Sequence, residues 1–185
     1  MFRELLAAEF GAYGSLTDVQ LSQLSTHYAA LSRWNERLNL TRIRDLGDSV
    51  RFHYCESLFL ARSLPPISQR IVDIGSGAGF PGIPVAILRP DCEVTLVESH
   101  QRKAVFLREC ARELPNVKVI SKRAEEIQDR FDWLISRAVA PADVLRLNIA
   151  EGVMLLIGEE EAAKLSGTRA AIPWGNQRVL FHVEQ

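Results

Sequence analysis

Ile71-Val72-Asp73-Ile74-Gly75-Ser76-Gly77-Ala78-Gly79-Phe80-Pro81-Gly82-Ile83-Pro84 is the stretch that decides the fold. A short apolar run carries Asp73 near its end, four glycines follow within eight residues, and Pro81 opens an apolar, helix-like segment. The order is strand, tight glycine turn, helix N-terminus. Glycine lets the backbone approach a ligand closely, because no Cβ stands in the way. The unpaired N–H groups at the start of a helix favour an anionic group such as a carboxylate or phosphate. One nucleotide-like ligand site is therefore expected here.

The dinucleotide fingerprint is G-x-G-x-x-G. Gly75 and Gly77 fit it, but Phe80 occupies the third glycine slot and the glycine falls at Gly79. No Lys-Ser or Lys-Thr pair follows, which excludes a P-loop. G-x-G-x-G preceded by Asp73 is the form seen in S-adenosylmethionine-dependent methyltransferases. A second feature agrees. Glu93-Val94-Thr95-Leu96-Val97-Glu98 reads as the next strand and ends in Glu98, about twenty residues past the loop, where a carboxylate can accept from a ribose diol. A third is Ser121-Lys122-Arg123-Ala124-Glu125-Glu126 after the apolar run at 117–120, with backbone at Ala124 and Glu125 placed to hold an adenine edge. The plain alternatives are a turn without a ligand, a solvated acid at Glu98, and an Asp73 that merely braces the loop. The candidate cofactor set read from these features is Asp73, Gly75, Ser76, Gly77, Gly79, Glu98, Ser99, Ala124 and Glu125.

Around this site, strands are expected near 70–74, 93–97, 117–120, 132–136, 153–157, 169–173 and 178–184. Helices are expected near 81–89, 100–113, 123–128, 142–151 and 159–165. The β-α steps imply a mostly parallel sheet covered on both faces. The final two strands form a hairpin turning at Gly175-Asn176, so the last strand is antiparallel. The fold class is α/β, a Rossmann-like class I S-adenosylmethionine-dependent methyltransferase with a seven-stranded sheet. Residues 1–64 read as an N-terminal helical extension and 65–185 as the Rossmann-like domain. In the extension, Thr17 and Gln20 form a capping box. Leu21, Leu24, Tyr28, Leu31, Trp34 and Leu38 recur at three- and four-residue steps and pack onto the main domain. Asp48 is expected to cap a helix through Ala61, stopped by Leu64-Pro65-Pro66.

At 185 residues with 47% hydrophobic content the chain can bury one sizeable core. A net charge of −1 gives no global basic field. Charge is local: seven Lys or Arg against two acids from Arg102 to Arg123, and five Arg against three acids from Arg33 to Arg51. A solvated helix face explains each run as readily. Cys55, Cys92 and Cys110 are odd in number and lack a C-x-x-C, so no disulfide framework, no metal site and a reducing cytoplasm are expected. His53 and Glu56 do not by themselves make a metal site. No apolar run reaches the roughly 18 residues of a membrane helix, and no signal peptide is read at the N-terminus.

Several segments together resemble the bacterial small-subunit (16S) ribosomal RNA guanine-N7 methyltransferases, also known as glucose-inhibited division protein B. They are Arg33-Trp34-Asn35-Glu36-Arg37-Leu38-Asn39-Leu40-Thr41, His53-Tyr54-Cys55-Glu56-Ser57-Leu58, the glycine stretch from Asp73 to Pro84, Arg123-Ala124-Glu125-Glu126, and Ile135-Ser136-Arg137-Ala138. The resemblance implies that Gly75, Phe80, Ala124, Glu125 and Arg137 touch S-adenosylmethionine, the cofactor that leaves as S-adenosylhomocysteine. It implies that Asn39, Arg42, His53 and Arg137 lie near the substrate opening, and that the partner is ribosomal RNA or the small ribosomal subunit. Simpler roles stand beside these: Asn39 as a helix cap, His53 as an interface hydrogen bonder, Arg137 as partner of a buried acid. The chain departs from the family pattern at Ile157, where a Lys is usual, at Val139, where an aromatic is common, and at Glu56, where Asp is usual. Ile157 would remove a cation from the substrate side. A small-molecule methyltransferase and a catalytically silent, ribosome-associated relative are the alternatives these departures favour. An NAD-dependent oxidoreductase is disfavoured by Phe80.

Overall fold

A computed structural model describes residues 1–175 and 177–184. Seven strands form one sheet in the order β3-β2-β1-β4-β5-β7-β6. They are β1 (Arg70–Ile74), β2 (Glu93–Val97), β3 (Val117–Ile120), β4 (Phe131–Arg137), β5 (Ala150–Gly158), β6 (Thr168–Ala171) and β7 (Arg178–Glu184). The first five pair in parallel, and β7 runs antiparallel to both β5 and β6. This is the class I methyltransferase arrangement expected from the sequence. The proposed turn residue Asn176 lies outside the described residues.

The sheet separates two apolar layers, because strand side chains alternate between faces. Ile71, Leu96, Ile135, Met154 and Leu156 enter the layer beneath the N-terminal helices. Val72, Ile74, Val97, Leu134, Leu155 and Ile157 enter the opposite one. Asp73, between Val72 and Ile74, therefore faces the N-terminal helices. Ile157 is only 4% exposed and is paired with Val179 of β7. A Lys there would need its ammonium buried or extended out of the layer, so this departure from the family serves the core rather than an exposed surface.

Helices α1 (Phe2–Phe10), α2 (Asp18–Leu38), α3 (Leu46–Ser49) and α4 (Glu56–Ser63) precede the sheet. Thr17 and Gln20 close the expected capping box on α2, an arrangement worth about 1 kcal/mol. Leu24 and Leu31 of the stripe are buried, and Tyr28 and Trp34 pack against the same core. Phe2, Leu6 and Phe10 of α1 are buried too, each worth about 1.5–3 kcal/mol against exposure. The ring of Phe10 lies 6.1 Å from that of Trp174, so the first helix also reaches the segment joining β6 and β7.

The third helix differs from expectation. Asp45, not Asp48, is its cap: the Asp45 carboxylate accepts from the Asp48 N–H at 2.9 Å. Asp48 is already inside the helix. The chain then widens into a π-helical turn over Val50–Cys55 before α4. Single π turns within helices occur often at functional sites, since they re-aim side chains. Here the turn presents His53 and Tyr54 to the glycine loop.

Between strands lie α5 (Gly82–Leu88), α6 (Gln101–Cys110), α7 (Pro141–Arg146) and α8 (Glu159–Ala162). The expected helix at 142–151 stops early, because β5 already begins at Ala150 to match the length of β4. The one expected at 123–128 is a single 3-10 turn at Ala124–Glu126.

Candidate functional site

The carboxyl ends of β1, β2, β3 and β4 share one edge of the sheet, where open α/β sheets bind ligands. The glycine loop rises from β1 and is tied to β2: the N–H groups of Gly75 and Ser76 both donate to the Val97 carbonyl, at 2.9 and 3.1 Å. Gly75, Gly77 and Gly79 have φ of 72°, 52° and 88°. These values are strained for residues with a Cβ and explain three of the glycines. Gly82 has a different reason. A Cβ there would stand 2.3 Å from Leu96 Cδ2 and 2.6 Å from Asp73 Oδ2, so only glycine lets α5 lie this close to the sheet.

Asp73 is fully buried, and its Oδ2 accepts from the Gly82 N–H at 3.0 Å. Burial pushes its pKa up to about 7, against the pull of the Gly82 amide, and the Glu98 charge adds to the rise. Its Oδ1 has no hydrogen-bond partner among the described residues. An orphaned oxygen on a buried acid is costly, and a cationic group nearby would relieve it. Asp73 braces the loop from below, while the exposed Gly75 and half-buried Gly77 present its outer surface.

Glu98 is 7% exposed and is held by both oxygens. Oε2 accepts from the Gly77 N–H at 3.0 Å, and Oε1 from the His100 N–H at 2.8 Å. Each oxygen keeps a lone pair for a ligand hydroxyl. Ser99 beside it is exposed. Glu98 N–H donates to the Ile120 carbonyl at 3.1 Å, which brings the end of β3 alongside. Ala124 and Glu125 begin the 3-10 turn just beyond, and the first amides of such a turn have no acceptor within it. A carboxylate for a diol, free amides for a base edge and a glycine cradle fit an adenosyl group joined to an amino acid.

Phe80 forms the inner wall and is 5% exposed. It follows the glycines through a cis bond to Pro81. His53 stacks on its ring at 4.6 Å and 16°, while His27 and Tyr54 meet it edge-on at 5.1 and 5.0 Å. On the side of β4, Val139 covers Gly75: a Cβ on that glycine would lie 2.6 Å from Val139 Cγ2.

The substrate candidates are placed unequally. Arg42 is exposed, and carries no ion pair among the described residues. Asn39 is the left-handed C-cap of α2, with φ 47° and ψ 51°. His53 is 7% exposed. Its Nδ1 accepts from Arg137 at 3.1 Å, so Nε2 carries the proton and donates to Thr41 Oγ1 at 2.8 Å. Burial first, then the Arg137 charge, lowers the His53 pKa to about 3. Arg137 is mostly committed within the protein. It donates to the Phe52 carbonyl and lies 3.6 Å from the buried Glu56 carboxylate, while burial lowers its pKa to about 10. Glu56 also accepts from Arg178 Nε at 3.0 and 3.2 Å.

Sequence reasoning passed over His27, Tyr54 and Arg178. The signal for His27 was present: it lies between Leu24 and Leu31 at helical spacing, a polar residue on an apolar stripe. Nothing local marks Arg178, which meets Glu56 across 122 residues.

The model of the GidB family, described as rRNA small subunit methyltransferase G, matches residues 20–178. Ribosomal RNA small subunit methyltransferase G of Chromobacterium violaceum is 43% identical over 127 residues, 66% of this chain and 60% of that protein. Its namesake in Prochlorococcus marinus is 39% identical over 141 residues, 70% and 57%. The chain thus spans less than two thirds of the length of these relatives. Among solved structures, an S-adenosylmethionine-dependent O-methyltransferase from Thermotoga maritima superposes with TM-score 0.58 at 14% identity, covering 83% of this chain and 71% of that one. A ribosomal protein L11 methylase from Lactobacillus delbrueckii subsp. bulgaricus gives 0.53 at 13%, covering 71% and 79%. At such identities these two likenesses speak for the fold.

Proposed function

The chain belongs to the GidB family of small-subunit ribosomal RNA methyltransferases, and from that premise we propose that it transfers a methyl group from S-adenosylmethionine to guanine N7 of small-subunit ribosomal RNA. The observation that carries the reading is the shared edge at which the glycine loop, the Glu98 carboxylate and the Ala124-Glu125 turn meet, within the span that the family model matches.

S-adenosylmethionine supplies, when bound, a methyl group made electrophilic by a sulfonium. Glu98 would accept from the ribose hydroxyls, the amides of Ala124 and Glu125 would hold the adenine edge, and the loop at Gly75, Ser76, Gly77 and Gly79 would admit the amino-acid end. Guanine N7 has a lone pair and no proton, so the reaction needs no general base. The two histidines suit this: His27 and His53 are buried, held neutral near pH 7 and hydrogen-bonded on both ring nitrogens. Catalysis would come from alignment and exclusion of water, an effect able to supply about 7–11 kcal/mol. Arg42, exposed, would contact a phosphate or guanine O6, with Asn39, His53 and Arg137 the other residues assigned to the substrate side. We place the protein in the cytoplasm with the ribosome; no helix of the described residues is long and apolar enough to cross a membrane.

The test is transfer of a labelled methyl group to small-subunit RNA, and to intact small subunits, that lack their own N7 methylation. Label mapped to a guanine N7 is the expected result. Cofactor binding without incorporation into either substrate would move the proposal to a small-molecule substrate or a silent relative.

A further inference from the structure

We infer that His27, on the N-terminal helix α2, is a positioning residue for the glycine loop, setting its ligand-ready shape through one hydrogen bond to the Ala78 carbonyl. This rests on the cofactor reading above. Ala78 sits between Gly77 and Gly79, both at positive φ, so the direction of its carbonyl reports the shape of the whole loop. His27 Nε2 meets that carbonyl at 3.0 Å. A carbonyl only accepts, so Nε2 bears the proton. The other nitrogen, Nδ1, is then bare and accepts from the Tyr54 hydroxyl at 2.9 Å.

Tyr54 therefore selects the tautomer, as a second hydrogen bond does for many functional histidines. His27 is 3% exposed and Tyr54 fully buried, and no other acceptor competes for the Nε2 proton among the described residues. Burial holds the imidazole neutral, with a pKa of about 4. Contact is close on the loop side as well: a Cβ on Gly79 would lie 3.0 Å from His27 Nε2. The same loop donates Gly77 N–H to Glu98, so a turn of the Ala78 peptide would disturb the carboxylate assigned to the ribose. Without His27 the Ala78 carbonyl, 8% exposed as a residue, loses its partner and the loop gains a reason to rearrange. The rival role is core packing alone, through the Phe80 and Phe106 rings at 5.1 and 6.0 Å.

His27→Phe keeps the ring and removes the donor; His27→Gln restores a donor. Affinity for S-adenosylhomocysteine is read by calorimetry on the full chain, well below each variant's melting temperature. We expect His27→Phe to weaken binding roughly tenfold or more and His27→Gln to recover most of it. Tyr54→Phe, which frees the tautomer, should lie between. In methyl transfer the cofactor KM should rise while the RNA KM stays unchanged. A folded His27→Phe that binds within about twofold of the unsubstituted chain reduces His27 to packing and overturns the proposal. Should His27→Phe not fold, unchanged affinity in His27→Leu, which also removes the donor, overturns it equally. An unsubstituted chain that binds no cofactor would instead sink the cofactor reading itself.

Discussion

The glycine loop and the seam beneath it solve the same problem in opposite ways. In the loop, residues 73–82, the polar contacts run to backbone, to the acids of β1 and β2 and to His27 of α2, with Gly82 meeting Asp73 nine positions away, Gly77 meeting Glu98 across 21 and Ala78 meeting His27 across 51. In the seam, His53, Glu56, Arg137 and Arg178 are satisfied by side chains 84 and 122 positions apart. The loop depends on conformations that few residues other than glycine adopt. The seam depends on charges that the finished fold happens to oppose. The loop is shaped mainly by its own glycines, with His27 as one distant prop, whereas the seam fails as a unit.

The sharpest way to break this comparison is Glu56→Ala. It leaves Arg137 and Arg178 facing a buried site with no counter-charge, and should cost about 3–5 kcal/mol by urea unfolding. A loss under about 1 kcal/mol would make the seam no different from surface ion pairs. In the loop, Glu98→Gln replaces one accepting oxygen by a donor facing the amide of Gly77 or His100. Cofactor affinity should fall by up to about 3 kcal/mol in calorimetry. Unchanged affinity would take Glu98 out of the site.

Acid should act in opposite directions on His27 and Asp73, the two buried groups that brace the loop. His27 has a folded pKa of about 4 against an ordinary 6.5, so the unfolded chain binds the proton first. Its contribution is intact above pH 6.5 and is lost as the pH falls from there towards 4. Asp73, raised from 3.8 to about 7, works the other way and gains on acidification. The clean measurement is therefore a difference. Between pH 7.5 and 5, His27→Gln should lose about 2 kcal/mol less stability than the unsubstituted chain. Parallel curves would show that His27 titrates normally. The smallest effect on the fold belongs to Arg42→Ala, exposed and unpaired among the described residues. Stability should move by less than about 0.5 kcal/mol, while the salt dependence of RNA binding falls by about one phosphate contact. An unaltered salt slope in filter binding would mean that Arg42 touches no phosphate.

The strands were legible because buried parallel strands are apolar runs closed by glycine or acids, and 70–74, 93–97, 117–120 and 178–184 were found at their true ends. Helix ends were less so. Asp45 and Asp48 are equally good caps to a local eye, and the fold puts the Asp45 carboxylate on the Asp48 N–H. The segment at 147–151 reads as helix until β4 claims Ala150 as a partner for Phe131. Ile157 read as a lost cation near the substrate, yet its alternation with Leu156 sends it into the core.

The sequence by itself determined the sheet, the glycine loop and the acids at the ends of the first two strands, because these rest on period-two alternation and on backbone conformations open only to glycine. Only the tertiary structure decided that Arg137 is braced by Glu56 and Arg178, that His53 and His27 are buried and neutral, and that a histidine on the second helix holds the Ala78 carbonyl. Those facts depend on which distant side chains share a low-dielectric space. No spacing along the chain encodes that.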